Sequence, residues 1–461
     1  MPDRYPAPFT CERVETNMGW LNDLQEYVHD HSPAAGIEKF AASIEPEWIE
    51  EALALTGKAS IRRRKLPAEQ VIWLVLGMAL YMNRSIRTVR ERMGLLPNDD
   101  DQLAPSAATK ARYRLGPEPM AWLFSRVCQE WSPSPGIEAW HGKTLWGIDG
   151  THVRVPDTDE NLSVFGKPAC GRGAAYPQAR IVALMNLDNR MLADARIGPF
   201  ATSERMLAAE LWQQIPDHSI TLIDRGFTSY MTLLEIIADG QGRDFLVRLK
   251  KDAAYEVVEE LKDGSLLALL HPPANAVRAD KDVPGPIEIR VLEYQHHGGE
   301  PGRLATTLVD PSAYSAESLV ELYHARWDLE IGFDEFKTDL LERKESLRSK
   351  KPEGVKQELW AQLLIYNLVR RKMLLAAEAL DFPPRRISFK TSLLYIRDFW
   401  TTGWMVSPGN VPRTLAELRG RLRELLLPAR RRDRRYPRHV KIKMTNYPRN
   451  RSTVHRGRSS K

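Results

Sequence analysis

Between Leu322 and Leu340 the apolar positions Leu322, Leu329, Phe333, Phe336 and Leu340 recur as one stripe of a helix turning about 100° per residue. On that helix Tyr323, Arg326, Glu330 and Lys337 fall within about 60° of one another. Glu321, Asp328, Glu335 and Asp339 point away from both sets and read as a solvated face. Ser315-Ala316-Glu317-Ser318 is a helix start signal. A carboxylate thus shares a row with a guanidinium, an ammonium and a phenol, a row suited to a metal ion and the phosphates around it. Taken alone, Arg326 and Glu330 are four apart and describe an ordinary surface ion pair. The rest of the chain changes that reading.

The middle of the chain has a different period. Thr144 to Ile148 is a short apolar strand ending at Asp149-Gly150-Thr151, and Val153 and Val155 continue a period of two. Ala179 to Leu187 and Met191 to Ile197 predict two further strands joined at Asp188-Asn189. A helix starts at Ser203 and runs through Leu207, Leu211 and Ile215. Ile220 to Ile223 is a buried strand ending at Asp224-Arg225-Gly226-Phe227, followed by a helix over Met231 to Ala238 and a strand over Phe245 to Leu249. This is an α/β domain with adjacent strands at its start. Asp149 and Asp224 each stand where an apolar strand gives way to a glycine-containing turn, the place where ligand-binding groups collect in α/β sheets.

Upstream, residues 1–60 carry weak helical patterns, with Leu21, Leu24 and Val28 and later Ile44, Trp48 and Ile49. After Arg62-Arg63-Arg64-Lys65 and Pro67, a helix through Trp73, Leu76 and Leu80 is apolar nearly all round and is expected to be buried. Two short helices follow, with Arg84, Arg87, Arg90 and Arg92 on the first and Lys110, Arg112 and Arg114 on the second. They are candidates for a helix-turn-helix-like DNA reader. Ser132-Pro133-Ser134-Pro135-Gly136 marks a boundary. Downstream, residues 250–310 alternate in short runs such as Ile287, Ile289 and Val291, broken by Pro284-Gly285-Pro286, and predict a mostly β insertion. A long helix over about 353–377 carries Leu359, Leu363, Tyr366 and Leu368.

The 461 residues are enough for about three domains, and 43% hydrophobic with 27% charged residues predicts a soluble globular chain. Cys11, Cys128 and Cys170 have no paired spacing, which argues against disulfides or zinc. Neither a signal peptide nor a run long enough to span a bilayer is present, so a cytoplasmic protein with no membrane partner is expected. Charge is placed unevenly. Residues 430–461 hold 13 Lys or Arg and one acid, Asp433, a net of +12 against +6 for the whole chain. A basic tail on a mildly acidic body points to a polyanion, most simply nucleic acid.

Two aspartates at strand ends and a glutamate on a later helix offer hard oxygen ligands, which suit Mg²⁺ or Mn²⁺. Two such ions about 4 Å apart activate a water or a 3′-hydroxyl for in-line attack at phosphorus and stabilise the leaving oxygen. Arg326 and Lys337 would hold DNA phosphates on the glutamate's own face. No Walker-type loop is present, so nucleotide hydrolysis has no support. Periodicity leaves Asp334, four residues past Glu330, as a second candidate for the third ligand.

These residues resemble a known family, the bacterial DDE transposases of the insertion-sequence 4 group. Tyr323, Arg326, Glu330 and Lys337 fit its Tyr-x2-Arg-x3-Glu-x6-Lys signature without a gap. Asp149-Gly150-Thr151 and Asp224-Arg225-Gly226-Phe227 match its two aspartate motifs. Arg64-Lys65-Leu66-Pro67, Ala111 to Gly116, Pro352 to Val355 and Tyr436-Pro437-Arg438 are similar to family text elsewhere, so the resemblance covers most of the chain. It implies an α/β, ribonuclease-H-like catalytic core interrupted by a mostly β insertion, with a helical N-terminal domain and a basic C-terminal region. The corresponding segments are 1–135, a helical DNA-binding domain; 136–249 and 311–385, the two parts of the core; 250–310, the insertion; and 386–461, the C-terminal region with its tail.

The resemblance also implies two Mg²⁺ ions, or Mn²⁺ in their place, on catalytic Asp149, Asp224 and Glu330, which decides against Asp334. Tyr323, Arg326 and Lys337 would grip terminal phosphates. The implied activity is cleavage at transposon ends and transfer of the 3′-hydroxyl to target DNA. It would act as a homodimer in a synaptic complex, nucleoid-associated when bound to double-stranded DNA. The alternative is a catalytically inactive, transposase-derived DNA-binding regulator. Relatives can excise through a hairpin, and those that flip a base use an aromatic residue, including a Trp in the insertion. This chain has no Trp between Trp212 and Trp327, and Tyr294 is the substitute candidate.

Overall fold

The computed structural model describes residues 44–59, 66–93, 95, 105–132, 140–168, 176–238, 240–295, 301–342, 347–380, 382–402 and 426–427. The Leu21–Val28 pattern, Arg62–Lys65, Pro133–Gly136, Cys11, Cys170 and the basic tail lie outside these residues. The described residues up to Leu426 form one compact unit, to which every described helix and strand belongs.

Five helices come first: α1 (Pro46–Leu55), α2 (Ala68–Leu80), α3 (Ile86–Arg92), α4 (Pro105–Leu115) and α5 (Glu118–Trp131). The all-round apolar pattern of α2 is met by burial of every residue from Val71 to Leu80. Ser85 caps α3 by accepting from the Thr88 amide at 3.1 Å. The basic residues of α3 and α4 are placed unlike one another. Arg112 on α4 is turned inward, 2.9 Å from Glu358 and bonded to Gln357 and Ser349. Arg114 donates to the Leu66 carbonyl, and Arg87 pairs with Glu91 on its own helix.

A nine-stranded sheet follows, in the order β3-β2-β1-β4-β5-β9-β8-β7-β6. Its strands are β1 (Thr144–Arg154), β2 (Gln178–Asn186), β3 (Leu192–Pro199), β4 (Ser219–Ile223), β5 (Arg243–Arg248), β6 (Glu256–Glu260), β7 (Leu266–Leu270), β8 (Ile287–Gln295) and β9 (Pro301–Thr306). β1, β2 and β3 are antiparallel neighbours, whereas β4 and β5 run parallel to β1. Three antiparallel strands continued by two parallel ones, with helices between, make the ribonuclease-H-like core. The expected insertion is β, but it does not stand apart: β9 pairs with β5 and carries the sheet on into a meander. Arg290, fully buried in β8, ties that meander down through Ser265, Asp263 and the Tyr314 carbonyl.

Helices cover both faces. Interleaved with the strands are α6 (Asp159–Phe165), α7 (Glu204–Ala208), α8 (Tyr230–Ala238) and α9 (Ala274–Ala279). The helix expected from Ser203 to Ile215 stops at Ala208 and continues as a tighter 3-10 turn, Trp212–Gln214. Bonds spanning three residues, Leu211 to Ala208 and Ile215 to Trp212, draw Trp212 fully into the core. One cluster joins Trp146, Ile148, Ile223, Phe245 and Val247 to Trp212 and α8. The other joins Leu145, Ile220, Leu222 and Leu246 to the N-terminal helices and to a long helix, α12 (Pro352–Leu380). Before it come α10 (Ala316–His324), α11 (Trp327–Asp334) and a π-helical turn, Glu335–Leu340; after it comes α13 (Phe389–Thr402). Every residue from Ala361 to Arg370 of α12 is buried. Among the described residues no helix is long and apolar enough to cross a membrane.

Candidate active site

Register decides where the aspartates go. Gly147, Leu222 and Leu246 are lateral partners on β1, β4 and β5, and so are Ile148, Ile223 and Val247. The next position along each strand is Asp149, Asp224 and Arg248. Side chains alternate between faces, and Leu222 and Leu246 belong to the cluster on the α12 side. Asp149, Asp224 and Arg248 therefore share that side, on strands about 4.8 Å apart. Beyond Ile148, β1 has no β4 residue opposite it, because β4 ends at Ile223. The two acids stand at that open step.

α11 lies over the same side. A Cβ added to Gly147 would come within 2.6 Å of Leu329 Cδ1, so Leu329 packs directly onto β1 two residues before Asp149. Glu330 is the next residue. Its carboxylate accepts from Arg326 Nη2 at 2.8 Å and is 42% exposed, whereas the Arg326 side chain is 13% exposed. Arg326 is thus no ordinary surface partner. It lies over the Tyr323 and Trp327 rings. Burial disfavours its charge, but Tyr323, Glu330 and Asp224 outweigh burial and hold the guanidinium above its ordinary range. Its Nε is buried with no hydrogen-bond partner among the described residues.

Asp149 is half-buried and accepts the Gly150 amide at 2.8 Å. Burial pushes its carboxyl up to about 6, helped by Glu204 and Asp224, while the Gly150 N–H and Arg326 pull it back. Asp224 opens a turn in which its carbonyl accepts from the Phe227 amide at 3.0 Å, with Phe227 buried as the anchor. Its exposed neighbours Arg225 and Gly226 leave that end of the sheet open.

The signature does not lie on one helix. Tyr323 is in the last turn of α10, Arg326 in the bend, Glu330 on α11 and Lys337 in the π turn. Bonds spanning three residues, Arg326 to Tyr323 and Leu329 to Arg326, tighten the bend. Tyr323 is buried and its hydroxyl donates to the Ile223 carbonyl at 3.3 Å, which ties α10 to the end of β4. Lys337 is half-buried and close enough to His152 on β1 to depress its basicity, after burial and Arg180.

The expected solvated face is also different. Asp328 is buried against Arg190, and Glu335 reaches Arg190 and Arg370. Their partners are far away in sequence, so no local period could place them. Asp334, the alternative third ligand, is exposed and accepts from Thr338 at 2.8 Å.

Two residues escaped the sequence reading. Arg248 completes the row of Asp149 and Asp224, and only strand register could have found it. It lies over Tyr294, which meets Tyr323 edge-on at 6.2 Å. Glu204, at the start of α7, packs on Gly150, where an added Cβ would meet its carboxyl at 2.6 Å. It pairs with Arg180 at 3.5 Å. Its only local signal is the cap at Ser203, which says nothing about the site.

Among the described residues no group of three or more His, Cys, Asp or Glu is gathered closely enough to hold a metal ion. Asp149 and Asp224 fit one in chemistry. They are oxygen-only donors on neighbouring strands, and burial, with Asp224 and Glu204 adding to it, pushes the Asp149 carboxyl up to about 6. Glu330 is spoken for by Arg326.

Residues 34–125 match the family description "Insertion element 4 transposase N-terminal", and residues 140–368 match "Transposase DDE domain". The chain is 34% identical over 408 residues to the transposase InsG for insertion sequence element IS4 of Escherichia coli K12, covering 88% of this chain and 92% of that protein. Among solved structures, a piggyBac transposase synaptic complex with hairpin DNA overlaps 87% of both chains at 10% identity, with a TM-score of 0.44. The second match spans both aspartate motifs and Glu330, and the first spans α1 to α4 and the first half of α5. The chain belongs to the insertion-sequence 4 family of DDE transposases.

Proposed function

We propose that this transposase binds the terminal inverted repeats of its own element, hydrolyses the phosphodiester at each end and joins the freed 3′-hydroxyl to target DNA. The observation that carries this reading is the lateral row of Asp149 and Asp224 beneath the helix that bears Glu330. Asp149, Asp224 and, once released, Glu330 would hold two Mg²⁺ ions, with Mn²⁺ able to replace them. Such ions, when bound, activate the attacking oxygen and stabilise the leaving one.

The chain's own groups do the rest. Arg326 neutralises Glu330 and faces Asp224 in the resting protein. On DNA binding, its unpartnered Nε and its Nη2 turn to a terminal phosphate, a geometry guanidinium suits. Lys337 contributes a point charge further along β1. Tyr323 supports this set through the Ile223 carbonyl, and its phosphate contact requires that bond to exchange. The helical segment 1–135 and the basic C-terminal tail grip the DNA, and two copies pair two ends.

The test is cleavage of DNA bearing the element's ends in Mg²⁺. Asp149→Asn, Asp224→Asn and Glu330→Gln each lower cleavage by at least about 10³-fold while leaving end binding within about threefold. Cutting by all three variants would overturn the assignment. A second reading, a DNA-binding regulator without catalysis, is favoured by the Arg326–Glu330 pair, which withholds the third carboxylate. End binding by the unmodified protein without strand breakage in Mg²⁺ or Mn²⁺ would select it.

A further inference from the structure

We infer that Asp328 and Arg190 form a buried clamp that sets the rotation of α11, and so the aim of Glu330; this rests on Glu330 being a metal ligand. Asp328 precedes Glu330 by two residues, about 200° around the helix, so the two point to opposite sides. Asp328 is buried and Glu330 is exposed. Arg190 donates from Nε and Nη2 to Asp328 Oδ1 at 3.1 and 2.5 Å, and from Nη1 to Glu335 at 3.4 Å. Arg385 reaches Asp328 Oδ2 from outside at 3.2 Å. One guanidinium thus holds α11 and the π turn together.

The anchor is itself fixed. Arg190 sits in the turn between β2 and β3 with a left-handed φ of 59°, uncommon outside glycine. Its carbonyl accepts from the Tyr366 hydroxyl at 3.0 Å, and Arg370 donates to that hydroxyl and pairs with Glu335, closing a ring. Asn186 and Asn189 tie the same turn to the Ser132 carbonyl. The turn continues β2, and β2 pairs residue for residue with the stretch of β1 that holds Asp149, opposite Ala183. The clamp therefore refers Glu330 back to the strand that carries Asp149. Gly332 reinforces it, because a Cβ there would meet Met185 of β2 at 2.6 Å. Asp328 and Arg190 are positioning residues; neither touches the DNA or the ions.

The test measures Mn²⁺ binding to the full-length protein on its end DNA, by loss of the free-ion electron paramagnetic resonance signal. Asp328→Asn is expected to weaken Mn²⁺ binding by about tenfold or more, as loss of an outer partner does at metal sites, with end binding by gel shift unchanged. A core variant far from the clamp, Ile236→Ala on α8, supplies a comparison of lowered melting temperature with wild-type Mn²⁺ affinity. If Asp328→Asn does not fold, Arg385→Gln, which leaves the buried pair in place, should shift affinity about twofold to threefold the same way. Wild-type Mn²⁺ affinity in the folded Asp328 or Arg385 variant, or equal weakening by Ile236→Ala, would overturn the clamp. Wild-type affinity in Glu330→Gln would instead overturn the metal-ligand reading beneath it.

Discussion

The strand row and the signature segment place their acids by different means. Asp149 and Asp224 are set by backbone register: Ile148 and Ile223 are paired, and the next residues have nowhere else to go. Glu330 has no such guarantee. It lies on an eight-residue helix between a tight bend and a π turn, and its direction depends on Leu329 against Gly147 and on Asp328 against Arg190. The first arrangement is rigid by construction. The second is set by side-chain contacts, and its carboxylate is paired with Arg326.

The contrast can be broken most severely from the helical side. Arg112→Ala leaves Glu358 buried without its cationic partner, with only the Ser349 hydroxyl and the Arg348 amide among the described residues donating to it, and should cost about 3–5 kcal/mol in chemical denaturation. Its sequence-level counterpart Arg87, whose side chain is 84% exposed beside Glu91, is the other extreme.

The strand row can be tested through pH. The Asp149 carboxyl is raised to about 6 by burial first, so the folded state binds its proton more tightly than the unfolded chain. Stability of the metal-free protein therefore falls as pH rises from about 4 to 6 and stays lowered above that window. Asp149→Asn should raise the metal-free stability at pH 8 by up to about 3 kcal/mol, and the gain should vanish near pH 4. A gain that persists at pH 4 would contradict the cause given.

Contact between the two halves is sharpened by Gly147→Ala, which drives a methyl into Leu329 and should cost about 1–3 kcal/mol. Adding Leu329→Ala should recover part of the melting temperature; an additive loss would mean the two do not meet. Arg87→Ala should change stability by less than about 0.5 kcal/mol.

Much of this was legible in the sequence, and the reasons it stopped are physical. Apolar runs ending in Asp-Gly or Asp-Arg-Gly located β1 and β4 and singled out Asp149 and Asp224. The all-round apolar pattern located α2, and the long period located α12. Register is not a local property, so the row shared with Arg248 was invisible. The same limit applied to β9, whose pairing with β5 makes the insertion part of the core sheet. Asp328 and Glu335 read as solvated because a helical wheel knows nothing of Arg190 and Arg370. The Tyr323 to Lys337 spacing assumed one helix, and the structure breaks that helix twice. Long-range contacts overrode local propensity there.

The proposed catalysis has Glu330 leave Arg326 and join the two strand aspartates. The most direct measurement is the anomalous density of Mn²⁺ in a crystal of this transposase with its end DNA. The expected result is ions held by Asp149 and Asp224, with the Glu330 carboxylate turned onto them and Arg326 on a phosphate. Ions bound while Glu330 remains on Arg326, or bound away from Asp149 and Asp224, would contradict that proposal.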